Sequence, residues 1–313
     1  MKSWLLQAAL QMVLALLLSP LVSGFIRKLK ANLQNRRGPG LLQPYHDLFK
    51  LIRKGTVVSE HASWLFRVTP YIAFLAALMV SLMIPMVTAL VPLSFFGGVL
   101  AVVYLLALGR FFVALAALDT ASAFGGMGSS REMTISAIAE PAMMLSIFTV
   151  AITAGSTNLG WMVQAALQHQ ERFLSPSHIL AFVAMFIVLI AETGRLPVDN
   201  PATHLELTMI HEAMILEYSG HYLALIEWGA ALKQLVLMTL LVNIFFPIGV
   251  GARFSLASVV VGLAAYLGKL FLLASAVALV ETSNAKLRLF RVPDFLAVGF
   301  ILAALALAST FIF

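Results

Sequence analysis

Two glutamates of this chain stand inside apolar runs: Glu140 within Ile138-Ala139-Glu140-Pro141-Ala142, and Glu192 at the end of Val188-Leu189-Ile190-Ala191-Glu192. Burial disfavours a charged carboxylate and neighbouring acids disfavour it further, so such groups can exchange protons near neutral pH. Lys233 and Lys269 sit equally deep in apolar runs, and Arg110 interrupts another. An ionisable group at the centre of a bilayer costs about 2.5–3.5 kcal/mol on insertion scales, so those retained usually face a protein interior or a water path. Acids and lysines placed in this way suit a proton relay. Structural ion pairs between neighbouring helices would use the same residue types, and spacing alone does not separate the two readings.

Further acids gather in two places. Asp119, Glu132 and Glu140 follow the third apolar run, and Glu192, Asp199, Glu206, Glu212 and Glu217 crowd the segment after the fifth, with Glu281 closing the seventh. His204 and His211 lie among them, but their spacing matches no zinc template and there is no H-E-x-x-H. Imidazole titrates near pH 6.5, so a second proton-exchanging group beside the carboxylates is the better reading of His204. The chain has no cysteine, so an iron-sulfur cluster, thiolate-bound nickel or a disulfide would belong to another chain. No catalytic residue, cofactor site or metal site is expected here. Gly125-Gly126-Met127-Gly128 lacks the P-loop pattern and is expected to form a flexible loop between helices.

The elements that must hold these groups follow from composition. Of 313 residues, 61% are hydrophobic and 11% charged, against about 45–50% apolar in an ordinary soluble chain. A soluble enzyme, a nucleic-acid-binding domain and a disordered protein are excluded. Runs of about 20 apolar residues predict membrane-spanning helices, and eight such runs occur: 4–26, 66–91, 94–118, 133–155, 178–196, 221–247, 256–281 and 295–313. Fourteen of the twenty basic residues then fall on one side, concentrated between Arg27 and Leu65. The positive-inside rule makes that side cytoplasmic and puts both termini outside. Within the 27–65 loop, Leu41, Leu42, Tyr45, Leu48, Phe49, Leu51 and Ile52 recur at three- and four-residue spacings among charges, which predicts an interfacial amphipathic helix. The expected fold is one all-α, polytopic membrane domain over residues 1–313, with a second, acidic cytoplasmic loop at 197–220 and no internal repeat.

Ordered motifs in these loops resemble a known family. Asn35-Arg36-Arg37-Gly38-Pro39-Gly40 with Asp47-Leu48-Phe49-Lys50-Leu51, and Ala191-Glu192-Thr193-Gly194-Arg195-Leu196-Pro197-Val198-Asp199 with Glu206-Leu207 and Glu217-Tyr218-Ser219-Gly220, resemble the respiratory complex I subunit 1 family. Arg110-Phe111-Phe112, Leu118-Asp119-Thr120, Ser130-Arg131-Glu132, Glu140-Pro141, Leu232-Lys233-Gln234 and Glu281 with Asn284 and Lys286 resemble its membrane-bound nickel-iron hydrogenase branch, including formate hydrogenlyase and hydrogenase 4. The resemblance implies a non-catalytic coupling subunit in the prokaryotic cytoplasmic membrane. It would dock hydrogenase large and small iron-sulfur subunits on the cytoplasmic side and meet antiporter-like subunits in the membrane. The nickel-iron centre and the clusters would lie in those partners. Glu140, Glu192, Asp199, Glu206, Glu217 and His204 would relay charge toward Lys233 and Lys269, with Arg36, Arg37, Asp119, Arg131, Glu132 and Glu281 shaping loops and docking. Ala202 and His204 stand where the family usually has glutamates, so either His204 replaces an acid in the relay or the partner surface differs there. The other branch implies a quinone-binding subunit of a complex I-like NADH:quinone oxidoreductase.

Overall fold

The computed structural model of the protein describes residues 2–94, 98–168, 175–199, 209–251 and 256–312. His204 and Glu206 lie outside the described residues. The rest is almost wholly helical: α1 (Lys2–Leu33), α2 (Gln43–Arg53), α3 (Trp64–Met83), α4 (Val99–Asp119), α5 (Ala123–Ala154), α6 (Leu159–Gln168), α7 (Pro176–Glu192), α8 (His211–Ile215), α9 (Gly220–Phe245), α10 (Leu256–Ser283) and α11 (Val292–Ser309), the last preceded by a 3₁₀ turn at Leu289–Arg291. Among the described residues there is no strand, only isolated bridges between Thr88 and Gly251 and between Gly98 and Asn158.

Seven of these helices are long and apolar enough to cross a membrane, and α7, with 17 residues, is shorter. At 1.5 Å per residue it reaches about 25 Å, less than the ~30 Å hydrocarbon core. Helix α9 is the central post: every residue from Gln234 to Phe245 is buried, and α1, α3, α7 and α10 pack against it. Its Leu232, Leu235, Met238 and Leu241 join Val22 of α1, Val80 of α3, Met185 of α7 and Tyr266 of α10 in the main core. A helix apolar on all sides is what such a position requires.

Three segments differ from the sequence reading. The second apolar run was expected to be helical to Val91, but α3 stops at Met83, just before Pro85. Helix-free backbone at membrane depth survives only where its carbonyls are satisfied, and side chains do this here. Asn243 Nδ2 donates to the carbonyls of Pro85 (2.8 Å) and Met86 (2.7 Å), and Gln11 Nε2 to those of Ser81 (2.7 Å) and Ile84 (2.6 Å). Second, the glycine-rich stretch expected as a loop lies inside α5, which begins ten residues before the predicted span. These glycines let helices approach closely. A Cβ on Gly125 would overlap the Ala117 carbonyl oxygen of α4, and one on Gly128 would stand 2.9 Å from Ala213 Cβ and 3.1 Å from the Ile210 carbonyl oxygen. Third, α6 was not foreseen. It is a ten-residue helix whose first turn is held by Asn158 Oδ1, which accepts from Gly160 N (3.0 Å) and Trp161 N (3.3 Å).

Helix α2 forms where the amphipathic pattern was read, with Leu48 buried and Phe49 and Ile52 exposed. It packs against α1 and α9, and Gly24 of α1 gives the close approach: its Cβ would collide with the Leu41 carbonyl oxygen. The loop beyond it is tied to the start of α9, since Ser219 Oγ accepts from Val57 N (2.8 Å) and donates to the Val57 carbonyl (3.0 Å).

A buried charge cluster on a cavity beside the basic loop

The sequence Ala191-Glu192-Thr193-Gly194-Arg195 ends α7 with a Schellman turn. Gly194 takes φ +57°, its N–H donates to the Ala191 carbonyl (3.1 Å), and Arg195 N–H reaches back to the Ile190 carbonyl (3.0 Å). Glycine adopts that left-handed conformation without a Cβ penalty. The turn leaves Glu192 as the last helical residue, at the level of side chains far inside neighbouring helices. Lys233 stands thirteen residues into α9, about 20 Å along its axis, and its Nζ is 2.8 Å from Glu192 Oε2. Helix α7 therefore stops deep in the bundle, which is why it is short.

Glu192 Oε1 accepts from Arg110 Nη1 at 2.6 Å, and Arg110 Nη2 donates to Glu140 Oε1 at 2.6 Å. Arg110 and Glu192 are each 7% exposed. Four helices, α4, α5, α7 and α9, thus contribute one charge each to a chain Glu140–Arg110–Glu192–Lys233 whose charges cancel. A second group forms around Glu281 at the end of α10: Arg195 Nη1 and Lys30 Nζ each lie 2.8 Å from its carboxylate oxygens. Gln234 links the two groups. It follows Lys233 in α9, and its Oε1 accepts from Arg195 Nη2 (2.8 Å) and from Ser23 Oγ (3.0 Å). Desolvated charges of this kind persist only when paired and hydrogen-bonded.

Asp199 ends the same loop. Its Oδ2 accepts from the backbone N–H groups of Ile210 (3.2 Å) and His211 (3.4 Å) at the start of α8, while Lys286 Nζ lies 2.8 Å from Oδ1. Arg131 Nη1 donates to the Met209 carbonyl (2.7 Å), fixing that loop onto α5. Asp119 Oδ2 accepts from Ser63 N (2.7 Å) at the entry to α3. Tyr218 stacks on Phe66 with centroids 3.9 Å apart and donates its hydroxyl to the Phe66 carbonyl (3.0 Å). Burial pushes the Tyr218 phenol above its ordinary range.

Of these groups, Arg110, Glu192, Lys233, Gln234, Arg195, Lys30, Glu281 and Asp199 line one cavity of about 660 Å³ between α1, α2, α4 and α9. Its floor is apolar, with Ala76, Leu106, Val113 and Ile226, and its walls carry Arg110, Glu132, Glu192, Lys233 and Glu281. Arg36 and Arg37, both exposed, stand at its rim beside Asp47 of α2. Glu132 and Glu281, expected to shape loops and docking, are both buried in this wall. Arg195, Lys30 and Gln234 had no assigned role; the only sequence signal for them was their position beside Glu192, in the basic run after α1, and beside Lys233. Glu217 is exposed on the loop before α9. Lys269 is not part of the cluster. Its Nζ donates to Asn243 Oδ1 (2.7 Å) and to the Phe246 carbonyl (2.9 Å), at the opposite end of α9. Among the described residues no three His, Asp or Glu side chains converge as a metal-binding group.

The NADH dehydrogenase family matches residues 6–312. This chain belongs to that family, the complex I subunit 1 family. It is 35% identical to formate hydrogenlyase subunit 4 of Escherichia coli over 300 residues, covering 96% of each chain. Hydrogenase-4 component C of the same organism is also 35% identical, over 96% of this chain and 93% of the relative. On the other branch, a subunit of the NADH-quinone oxidoreductase of Paraburkholderia phymatum is 31% identical over 77% of this chain and 70% of its own. In fold the chain resembles a chain of an archaeal membrane-bound sulfane sulfur reductase, with a TM-score of 0.84, 21% identity and coverage of 98% and 99%. Its relatives are subunits of membrane respiratory complexes. A family member with this many apolar helices is a multi-pass membrane protein whose partners are other subunits.

Proposed function

We propose that this chain is the membrane-anchoring and ion-coupling subunit of an energy-converting nickel-iron hydrogenase or formate hydrogenlyase-type complex. The observation that carries the reading is its 35% identity, over 96% of both chains, to formate hydrogenlyase subunit 4. The cysteine-free sequence supports it, because redox groups then belong to partner chains. The peripheral hydrogenase large and small subunits, with the nickel-iron centre and iron-sulfur clusters, dock on the cytoplasmic side over Arg36, Arg37 and the α2 loop. Antiporter-like subunits flank the bundle. The network Glu140–Arg110–Glu192–Lys233, extended through Gln234, Arg195 and Glu281, sets the field in which protons are relayed from the cavity into the membrane. The protein resides in the prokaryotic inner membrane with both termini outside.

The test is the identity of the chains that copurify from native membranes with an affinity-tagged copy. A large subunit carrying two C-x-x-C pairs, the thiolates a nickel-iron centre needs, supports the hydrogenase branch. The apolar floor of the cavity favours one further reading, that of a quinone-binding subunit. Quinone copurifying with the complex, displaced by a competing inhibitor, would select that reading instead.

A further inference from the structure

Four of the acids singled out from the sequence are clamped. Glu140 and Glu192 are held by Arg110, Glu192 also by Lys233, Asp199 by Lys286, and Glu281 by Lys30 and Arg195. Each of these carboxylates has a cation 2.6–2.8 Å away that matches its negative charge. The cavity wall contains four carboxylates outside the ion pairs found among the described residues: Asp47, Glu132, Glu212 and Glu227. Asp47 and Glu212 are half-buried and Glu227 is exposed. Glu132, on α5, is 8% exposed. Arg110 attracts it only through space, its guanidinium being committed to Glu140 and Glu192.

Glu132 also opens onto a side recess of about 10 Å³, lined with Ile135, Glu192, Val198, Asp199 and His211. That is about the volume one water-sized sphere needs. The charged and titratable groups facing it are Arg110 from α4, Glu192 from α7, Asp199 from the loop after α7 and His211 from α8. Both neighbouring acids have cations of their own, Glu192 with Arg110 and Lys233 and Asp199 with Lys286. His211 stands at the edge of the recess and lines the main cavity as well.

We propose that Glu132 is the proton-carrying acid of this cavity, loaded through His211, while Glu140, Glu192, Asp199 and Glu281 are fixed charges that set the local field. The assignment rests on the coupling reading given above. In the step, the imidazolium of His211 gives its proton, through one water in the recess, to the Glu132 carboxylate. This leaves a neutral imidazole and a neutral carboxylic acid, and no electron moves. Protonation removes the buried negative charge that is not matched by a cation of its own, so Glu132 and the four-residue chain beside it change from a net charge of −1 to neutral.

The experiment uses the whole complex purified from native membranes and reconstituted in vesicles. Protons moved per electron are measured for wild type, Glu132→Gln and Glu192→Gln, together with redox-induced infrared difference spectra of each. Wild type is expected to show the carbonyl band of a protonated carboxylic acid. Glu132→Gln removes that band and lowers proton movement per electron on the order of 10²-fold, whereas Glu192→Gln retains the band. If Glu132→Gln does not assemble, Glu132→Asp is measured; it is expected to shift the band and slow proton movement, and an unchanged band and ratio overturn the assignment. A Glu132→Gln complex that moves protons like wild type, or a band lost in Glu192→Gln instead, also overturns it while leaving the coupling reading intact. A wild-type complex that turns over without moving protons, or moves only sodium, defeats the coupling step itself and this assignment with it.

Discussion

Arg110 is the residue on which the buried network turns, because one guanidinium serves two carboxylates from different helices. Its planar fork suits that task, and a lysine, with a point charge, could not span both oxygens in the same way. Removing one partner of a buried ion pair costs about 3–5 kcal/mol, since it leaves a charge with no compensation. Arg110→Met is therefore expected to lower the thermal stability of the detergent-solubilised protein strongly. The double variant with Glu140→Gln removes the one orphaned charge, leaves the Glu192–Lys233 pair intact, and is expected to recover most of the loss. A double variant no more stable than Arg110→Met would show that the pairing is not what holds these helices. That Glu140, Glu192, Arg110 and Lys233 are charges set among apolar helices is legible from their neighbours; Arg110 and Glu192 are buried and the other two half-buried. Their partners are not legible there, because pairing depends on how α4, α5, α7 and α9 are rotated against each other. Glu132 was expected to shape a loop for the same reason as its glycine neighbours: its helix was started too late.

That error belongs to the level of elements. Glycines punctuate chains in water, so Gly125-Gly126-Met127-Gly128 reads as a loop. Between membrane helices small residues instead permit backbones to touch, and the composition alone does not say which rule governs. Helix α7 shows the converse case: its apolar length was visible, but its early end, set by Gly194 and the burial of Glu192, required the three-dimensional turn. The glycines can be tested against one another. Gly125→Ala places a methyl on the Ala117 carbonyl, and overpacking of this kind costs about 1–3 kcal/mol. At Gly126 the nearest atom to a new Cβ is Leu118 Cδ2 at 4.0 Å, so Gly126→Ala is expected to be neutral or slightly stabilising. Melting temperatures of the two purified variants check the contrast, and equal effects would mean that the α4–α5 crossing is not tight.

Across the whole molecule, the charged contacts gather on one side. The ion pairs between Lys30, Arg195 and Glu281, the Lys286–Asp199 pair and the Asp119 contact to Ser63 all lie at the C-terminal ends of α1, α4, α7 and α10 and the N-terminal end of α3. An antiparallel bundle brings those ends to one face, the same face that carries the basic loop 27–65. Excess lysine and arginine beside spans marks the cytoplasmic side, so in the proposed orientation the cavity opens inward and residues near the ends of α6 and α11 face outward. The native chain lacks cysteine, which makes single-cysteine labelling free of background. With a membrane-impermeant thiol reagent, Glu217→Cys, on the exposed loop before α9, is expected to react in inverted vesicles and not in right-side-out spheroplasts. Thr310→Cys, just past α11, is expected to do the reverse. Reversed labelling of both positions would turn the bundle over, leaving the cavity on the outer side, away from any cytoplasmic redox arm.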